Sequence, residues 1–371
     1  MTLMSRDDIL QRNLIDLDAA VSSGLANFHV IAEGGRFSSA PFSFLSGNVP
    51  ILLMKSVMER LSVSDIGIFE VENSHIFYDA TIMTENNIFF SEKINLSRDH
   101  CSQVLNWILS KTENVTVNYI PGLVCPLYGP GWPTWGHWLA EFLPRIFLLK
   151  QHGYDLSEIK FALPIQTPNF SRILIEKCGI KEDNICFFDH EKEVIKSDKI
   201  LITTNMSNFG VMHPIFSGYV EWIRDLFYSN PDYSSPAKIY LKRTSKNPLR
   251  SLLNRENIEK IAEHHGYTML DPNTMSIDQQ VSAFRSATHI AGEYGSSLHS
   301  SIFSEKNPVI IALRGGDIDP GFLQNGISKE CNQEIGYVFG DMDFNVGNGS
   351  FRINEDLFKI SLNYADVIKN I

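Results

Sequence analysis

"ATHIAGEYGSSLHSSIFSEKNPVIIAL", residues 287–313, reads as a strand running into a glycine turn, a helix opened by two serines, and a second buried strand. Short apolar runs flanking a helical pattern are the signature of a β-α-β unit, whose strands lie parallel under covering helices. Upstream, "KIYLKR" at 238–243 reads as a strand. Asn254 can cap a helix through about residue 265, and Gly266 can end it. "YTMLDP" at 267–272 is the next strand. Ser276 and Gln279 have capping-box spacing ahead of Ile277, Val281 and Phe284 on one helical face. This alternation predicts a doubly wound α/β unit over 236–348, and the segment 349–371 predicts a terminal helix that must dock on one of the domains.

A second alternating region precedes it. "IKFALPI" (159–165), "NICFFD" (184–189) and "DKILITT" (198–204) read as strands, with helices around 136–152 and at "NFSRILIEKCGI" (169–180). Residues 1–213 are therefore expected to form an N-terminal domain, joined by a linker helix and polar loop at 214–235. Within the first third, "NVPILLMKSVMERL" (48–61) reads as a helix start and "GIFEVENSHIFYDATIM" (67–83) as strands.

The bulk properties exclude several classes. The 371 residues, 43% hydrophobic and 20% charged, suit two globular domains. A net charge of -11 opposes nucleic-acid binding, which needs a basic face. Five cysteines with no CxxC pair predict free thiols in a reducing compartment. The N-terminus lacks a signal-peptide pattern and no apolar run reaches 18 residues, so a cytoplasmic location is expected.

Three groups of residues can carry chemistry. At 292–297, Gly292 and Gly295 permit a sharp turn that leaves Ser296 and Ser297 at a helix N-terminus, where free N–H groups suit phosphate. A purely structural strand turn has the same pattern. Lys242, Arg243, Lys246, Arg250 and Arg255 form a basic cluster in an acidic chain, leaving the end of a strand in the same domain. A solvated face is the plainer reading of that cluster alone. In "GPGWPTWGHWLAEFLPRIFLL" (129–149), His137, Glu141 and Arg145 fall at i, i+4 and i+8 on one helical stripe, and Pro144 predicts a kink or restart. An exposed ion pair beside a core histidine also meets that spacing. Asp317-Ile-Asp319 and Asp341-Met-Asp343 match a metal-holding DxD pattern without following a clear strand end, so no metal is assigned.

Taken in order, these pieces resemble the glycosyltransferase 61 family. The carriers are His137-Trp138-Leu139, Glu141, Leu143-Pro144-Arg145, then Arg243, Arg250, Asn254 and Glu256. At the last motif the chain reads Gly292-Glu293-Tyr294-Gly295-Ser296, with tyrosine where the family has histidine and serine where it has alanine. The resemblance implies a GT-B-like architecture of two Rossmann-like domains with an interdomain cleft, and a terminal helix at 349–371 that docks back on the N-terminal domain. It also implies inverting, metal-independent transfer from a nucleotide sugar, a UDP-sugar by preference, to a glycan hydroxyl. On that reading Glu141, or His137 oriented by it, is the base. Lys242, Arg243, Arg250, Gly295, Ser296 and Ser297 hold the diphosphate. Glu293, Tyr294 and Asn254 border the donor sugar or ribose, and Trp132, Trp135, Trp138 and Arg145 wall the acceptor. Surface polysaccharide synthesis, with peripheral association at the cytoplasmic face of an inner membrane, fits a bacterial member. A non-catalytic glycan- or nucleotide-binding protein on the same fold is the competing reading.

Overall fold

The computed structural model describes residues 2–50, 57, 59–111, 113–208, 210–228, 235–244, 251–316, 321–345 and 349–370. It is a mixed α/β protein with two large sheets, divided into two compact units. The first unit comprises residues 1–35 and 64–206, and the second comprises 36–63 and 207–371.

The second unit is built on a six-stranded sheet in which every pairing is parallel. Its order is Thr268–Leu270, Lys238–Leu241, His289–Glu293, Val309–Arg314, Glu334–Phe339 and Phe44–Gly47. All six residues of Val309–Arg314 are buried, as expected of a strand covered on both faces. Val309, Ile311 and Leu313 face a core shared with Ile258, Ala262, Phe358 and Leu362. Ile310 and Ala312 alternate to the opposite face. The first five strands follow the 2-1-3-4-5 order of doubly wound folds, so the chain reverses direction between Lys238–Leu241 and His289–Glu293. Gly292 makes that junction tight, because a Cβ there would meet Leu241 atoms at 3.1 Å.

Two expectations change here. The sixth strand comes from the N-terminal third: Phe44–Gly47 pairs in parallel with Glu334–Phe339, so residues 36–63 belong with the C-terminal half. Half of the helix read at 48–61 lies outside the described residues, and Leu61–Val63 is a strand. The terminal helix Glu355–Lys369 packs within the second unit, contrary to the expected docking on the first. Its buried Phe358, Leu362 and Ala365 complete one face of the parallel sheet, which would otherwise expose apolar side chains to water. The helix Ile215–Phe227, read as a linker, is likewise part of this unit.

The first unit carries a ten-stranded mixed sheet. Ile185–Phe188, Ile159–Pro164, Asn114–Pro126 and Glu193–Thr203 lie parallel in that order, which matches the alternating pattern read there. Ile66–Phe77 then pairs antiparallel with Glu193–Thr203, and Thr81–Met83 and Asn87–Phe90 continue by hairpins. A Rossmann-like pattern thus covers only part of this sheet. The three-residue turn at Tyr78–Ala80, with Asp79 and Ala80 in the left-handed region at φ 57° and 61°, is too short for a parallel crossover.

Candidate functional site

The 135–152 stretch is helical but not uniform. Trp135–His137 forms one α-turn, Trp138–Phe142 winds as a π-turn, and Leu143–His152 continues as α-helix to Gly153 at φ 97°. Pro144 explains the change of winding. It has no N–H to donate, and the Leu143 N–H reaches back five residues to the Trp138 carbonyl. The expected kink is therefore a widened turn, and Glu141 sits in it.

The turn brings His137 and Glu141 together, Nδ1 to Oε1 at 2.9 Å. The Glu141 side chain is 11% exposed and the imidazole 37%. Burial alone would lower the pKa of His137, but the hydrogen bond and the charge of Glu141 outweigh it, and the net shift is upward from 6.5. With Nδ1 engaged by the carboxylate, Nε2 is the atom left to exchange a proton with a ligand. Gly131, at φ 84°, lies against that edge: a Cβ there would stand 2.7 Å from Nε2. Sequence reasoning passed over Gly131. Its signal, a glycine between Pro130 and Pro133, acquires meaning only once the imidazole is placed over it.

The expected acceptor wall divides. Trp138 is fully buried, and its Nε1 donates to the Trp132 carbonyl at 2.7 Å, so it packs the core. Arg145 is also buried: its Nη1 donates to the carbonyls of Pro126 and Tyr128 at 3.0 and 2.9 Å. It fastens the helix to the end of a strand and cannot line an open surface. Trp132 and Trp135 remain partly exposed, Trp132 edge-on to His190 and Trp135 edge-on to Phe170 at 5.3 Å.

In the second unit, the strand order brings the basic segment to the glycine turn. Leu241 pairs with Gly292, so Lys242 and Arg243 leave one strand beside the point where Glu293, Tyr294 and Gly295 leave the next. Arg243 Nη1 lies 3.9 Å from where a Cβ on Gly295 would stand. Ser296–Phe303 is a 3-10 helix, and Gly295, Ser296 and Ser297 form its partly exposed lip. N–H groups at such a start have no partner within the helix. Gly295 itself is extended at φ 164°, a conformation open to any residue, and does not make the sharp turn expected of it. Lys242 Nζ stands 3.5 Å from Glu259. Arg250 and Lys246 fall outside the described residues, as do Asp317 and Asp319. Asp341 accepts a hydrogen bond from Asn48.

The three residues expected at the donor sugar or ribose are otherwise engaged. Glu293 is 5% exposed and accepts from Arg255 Nε at 2.7 Å, while its Oε2 has no hydrogen-bond partner among the described residues. Burial would lower the pKa of Arg255, but the bond to Glu293 and its charge raise it. Tyr294 is buried among Phe322, Tyr337 and Arg314, whose guanidinium lies 5.0 Å from its ring. Asn254 clamps Ile353 in both directions, Nδ2 to its carbonyl at 2.8 Å and Oδ1 from its N–H at 3.1 Å. That clamp replaces the capping role expected of its side chain. Arg314, buried at the end of Val309–Arg314 and stacked on Phe322 at 4.4 Å, was not anticipated from the sequence.

A parallel sheet whose strand order reverses belongs to the doubly wound class of α/β folds, which place ligands at that reversal point. The comparison with protein families then gives the particular assignment. Residues 135–311 match the family model Glycosyltransferase 61, which assigns that stretch to a family of glycosyltransferases. The match, just under half of the chain, takes in His137, Glu141, Arg243 and Gly295. Sugar donor and acceptor substrates follow from the family. A comparison with curated proteins gives no match.

Proposed function

We propose that the chain transfers a sugar, with inversion, from a UDP-sugar to a hydroxyl of a glycan acceptor. The observation that carries the reading is the 2.9 Å His137–Glu141 pair in a partly buried helical turn. His137 Nε2 takes the acceptor proton while Glu141 holds the ring and stabilises the imidazolium. The acceptor oxygen bonds to the anomeric carbon as the bond from that carbon to the diphosphate oxygen breaks. Charge growing on the leaving diphosphate is met by Arg243 and by the N–H groups at Gly295–Ser297, in the role a metal ion plays elsewhere. A single base and direct displacement invert the anomeric centre.

The finer architectural reading is GT-B-like, with donor bound by the parallel unit and acceptor by the other. Synthesis of a surface polysaccharide at the cytoplasmic face of a membrane is the setting that suits this reaction. Calorimetry with UDP, paired with assay of UDP released from UDP-sugars, tests the proposal. Micromolar binding with release of UDP supports it. Binding without turnover favours the non-catalytic alternative, and failure to bind UDP overturns the donor assignment.

A further inference from the structure

The first unit contains a cavity of about 560 Å³ that the reaction above does not use. Ligand pockets run from about 300 to 1,000 Å³, so its size is that of a binding site. It lies beside the helix Asn169–Lys177 and the strand Ile185–Phe188. Phe187, Ile185 and Ile180 supply an apolar floor, and Arg172, Lys181, Glu176 and Glu182 supply the polar rim.

The floor is preorganised. The Arg172 guanidinium lies over the Phe187 ring at 4.2 Å, and its Nη2 donates to the Ile165 carbonyl at 3.2 Å. Gly179, on the rim at φ 86°, has nothing within 4 Å of a Cβ position, which leaves the mouth open there. Ile185–Phe188 is the last strand in the sheet order, so among the described residues one of its edges is unpaired.

The lining selects its ligand. Two cations and two carboxylates give no net charge, so an anion gains from one pair and is repelled by the other. A wholly apolar ligand would strip water from four charged groups without replacing it. A neutral polyhydroxylated ring meets every requirement, with C–H faces on Phe187 and the isoleucines and hydroxyls bridging donors and acceptors. The same helix leads toward the reactive pair: its Phe170 packs on Trp135, two residues before His137. A helix of nine residues spans about 13 Å, the scale of a short oligosaccharide rather than one sugar.

We propose that this cavity is a distal acceptor subsite that holds a neutral sugar of the glycan, remote from the sugar whose hydroxyl reacts. The inference rests on the glycan-acceptor reading above. The test is calorimetric titration of the full chain with chitohexaose, cellohexaose, xylohexaose and mannohexaose, and of the variants Phe187→Ala and Glu176→Ala. Glu176 is exposed, so its variant keeps the core even if Phe187→Ala unfolds. At least one hexamer is expected to bind, both folded variants are expected to weaken it tenfold or more, and UDP affinity is expected to stay unchanged. No hexamer binding, or Glu176→Ala and Phe187→Ala within twofold of the parent, overturns the subsite. If hexamer binding is present and variant-sensitive but UDP does not bind, the transfer reading fails and the cavity stands as a glycan site. His137-dependent transfer with no effect of either variant removes the subsite alone.

Discussion

The two reactive regions are made by different physics. In the first unit a single helix is deformed: Pro144 withholds an N–H, the backbone widens into a π-turn, and Glu141 meets His137. In the second unit strand order does the work by laying Arg243 beside Gly295 from segments some fifty residues apart. The first region is dictated by neighbours in sequence and the second by topology. A change at the first should therefore strike chemistry without touching nucleotide affinity, and a change at the second should do the reverse.

The largest expected effect breaks the comparison on its chemical side. His137→Ala should lower the transfer rate by about 10²- to 10⁴-fold, the usual worth of a positioned base. Calorimetry should find UDP affinity within twofold of the parent. Loss of both together would mean that the two regions do not divide the labour. On the binding side, Arg243→Ala should weaken UDP by about 10- to 100-fold, as a charge-assisted hydrogen bond is worth about 1.5–3 kcal/mol. Equal UDP affinity in that variant would remove Arg243 from the diphosphate site.

A smaller change sharpens the account of the first region. Gly131→Ala places a methyl group 2.7 Å from the imidazole, on a backbone at φ 84°. The left-handed conformation alone costs a non-glycine residue about 1–2 kcal/mol. A lowered melting temperature and a roughly tenfold loss of turnover are expected, with UDP binding retained. A drop in stability with undiminished turnover would show that Nε2 is not the working atom.

Legibility followed the same division. The strands and helices of 236–348 were readable because caps, glycines and a period of two or 3.6 act within a few residues, and the Ser276–Gln279 capping box formed as spaced. The fully parallel sheet was readable for the same reason. Its sixth strand was not, since Phe44–Gly47 is recruited across some 290 residues by burial against Glu334–Phe339. At the site, His137 and Glu141 could be paired from i,i+4 spacing, but the burial of Arg145 could not. An arginine two turns along an apolar helix reads as exposed until the carbonyls of Pro126 and Tyr128 are brought to it. Glu293 and Tyr294 were misread in the same way, because a strand-end position says nothing about Arg255 or Phe322 arriving from elsewhere.

The most direct measurement is the pH dependence of kcat/KM for the parent and for Glu141→Gln. His137 must be neutral to accept a proton, so activity should rise with pH through an inflection above 6.5, where Glu141 has raised it. The same upward shift stabilises the folded chain at acidic pH, and that contribution is lost as pH rises through the raised value. Without the carboxylate charge only burial remains, which acts downward. The inflection in Glu141→Gln should therefore move below 6.5, with a lower plateau and UDP affinity intact. An inflection at one pH in both proteins would contradict proton transfer through a Glu141-oriented His137.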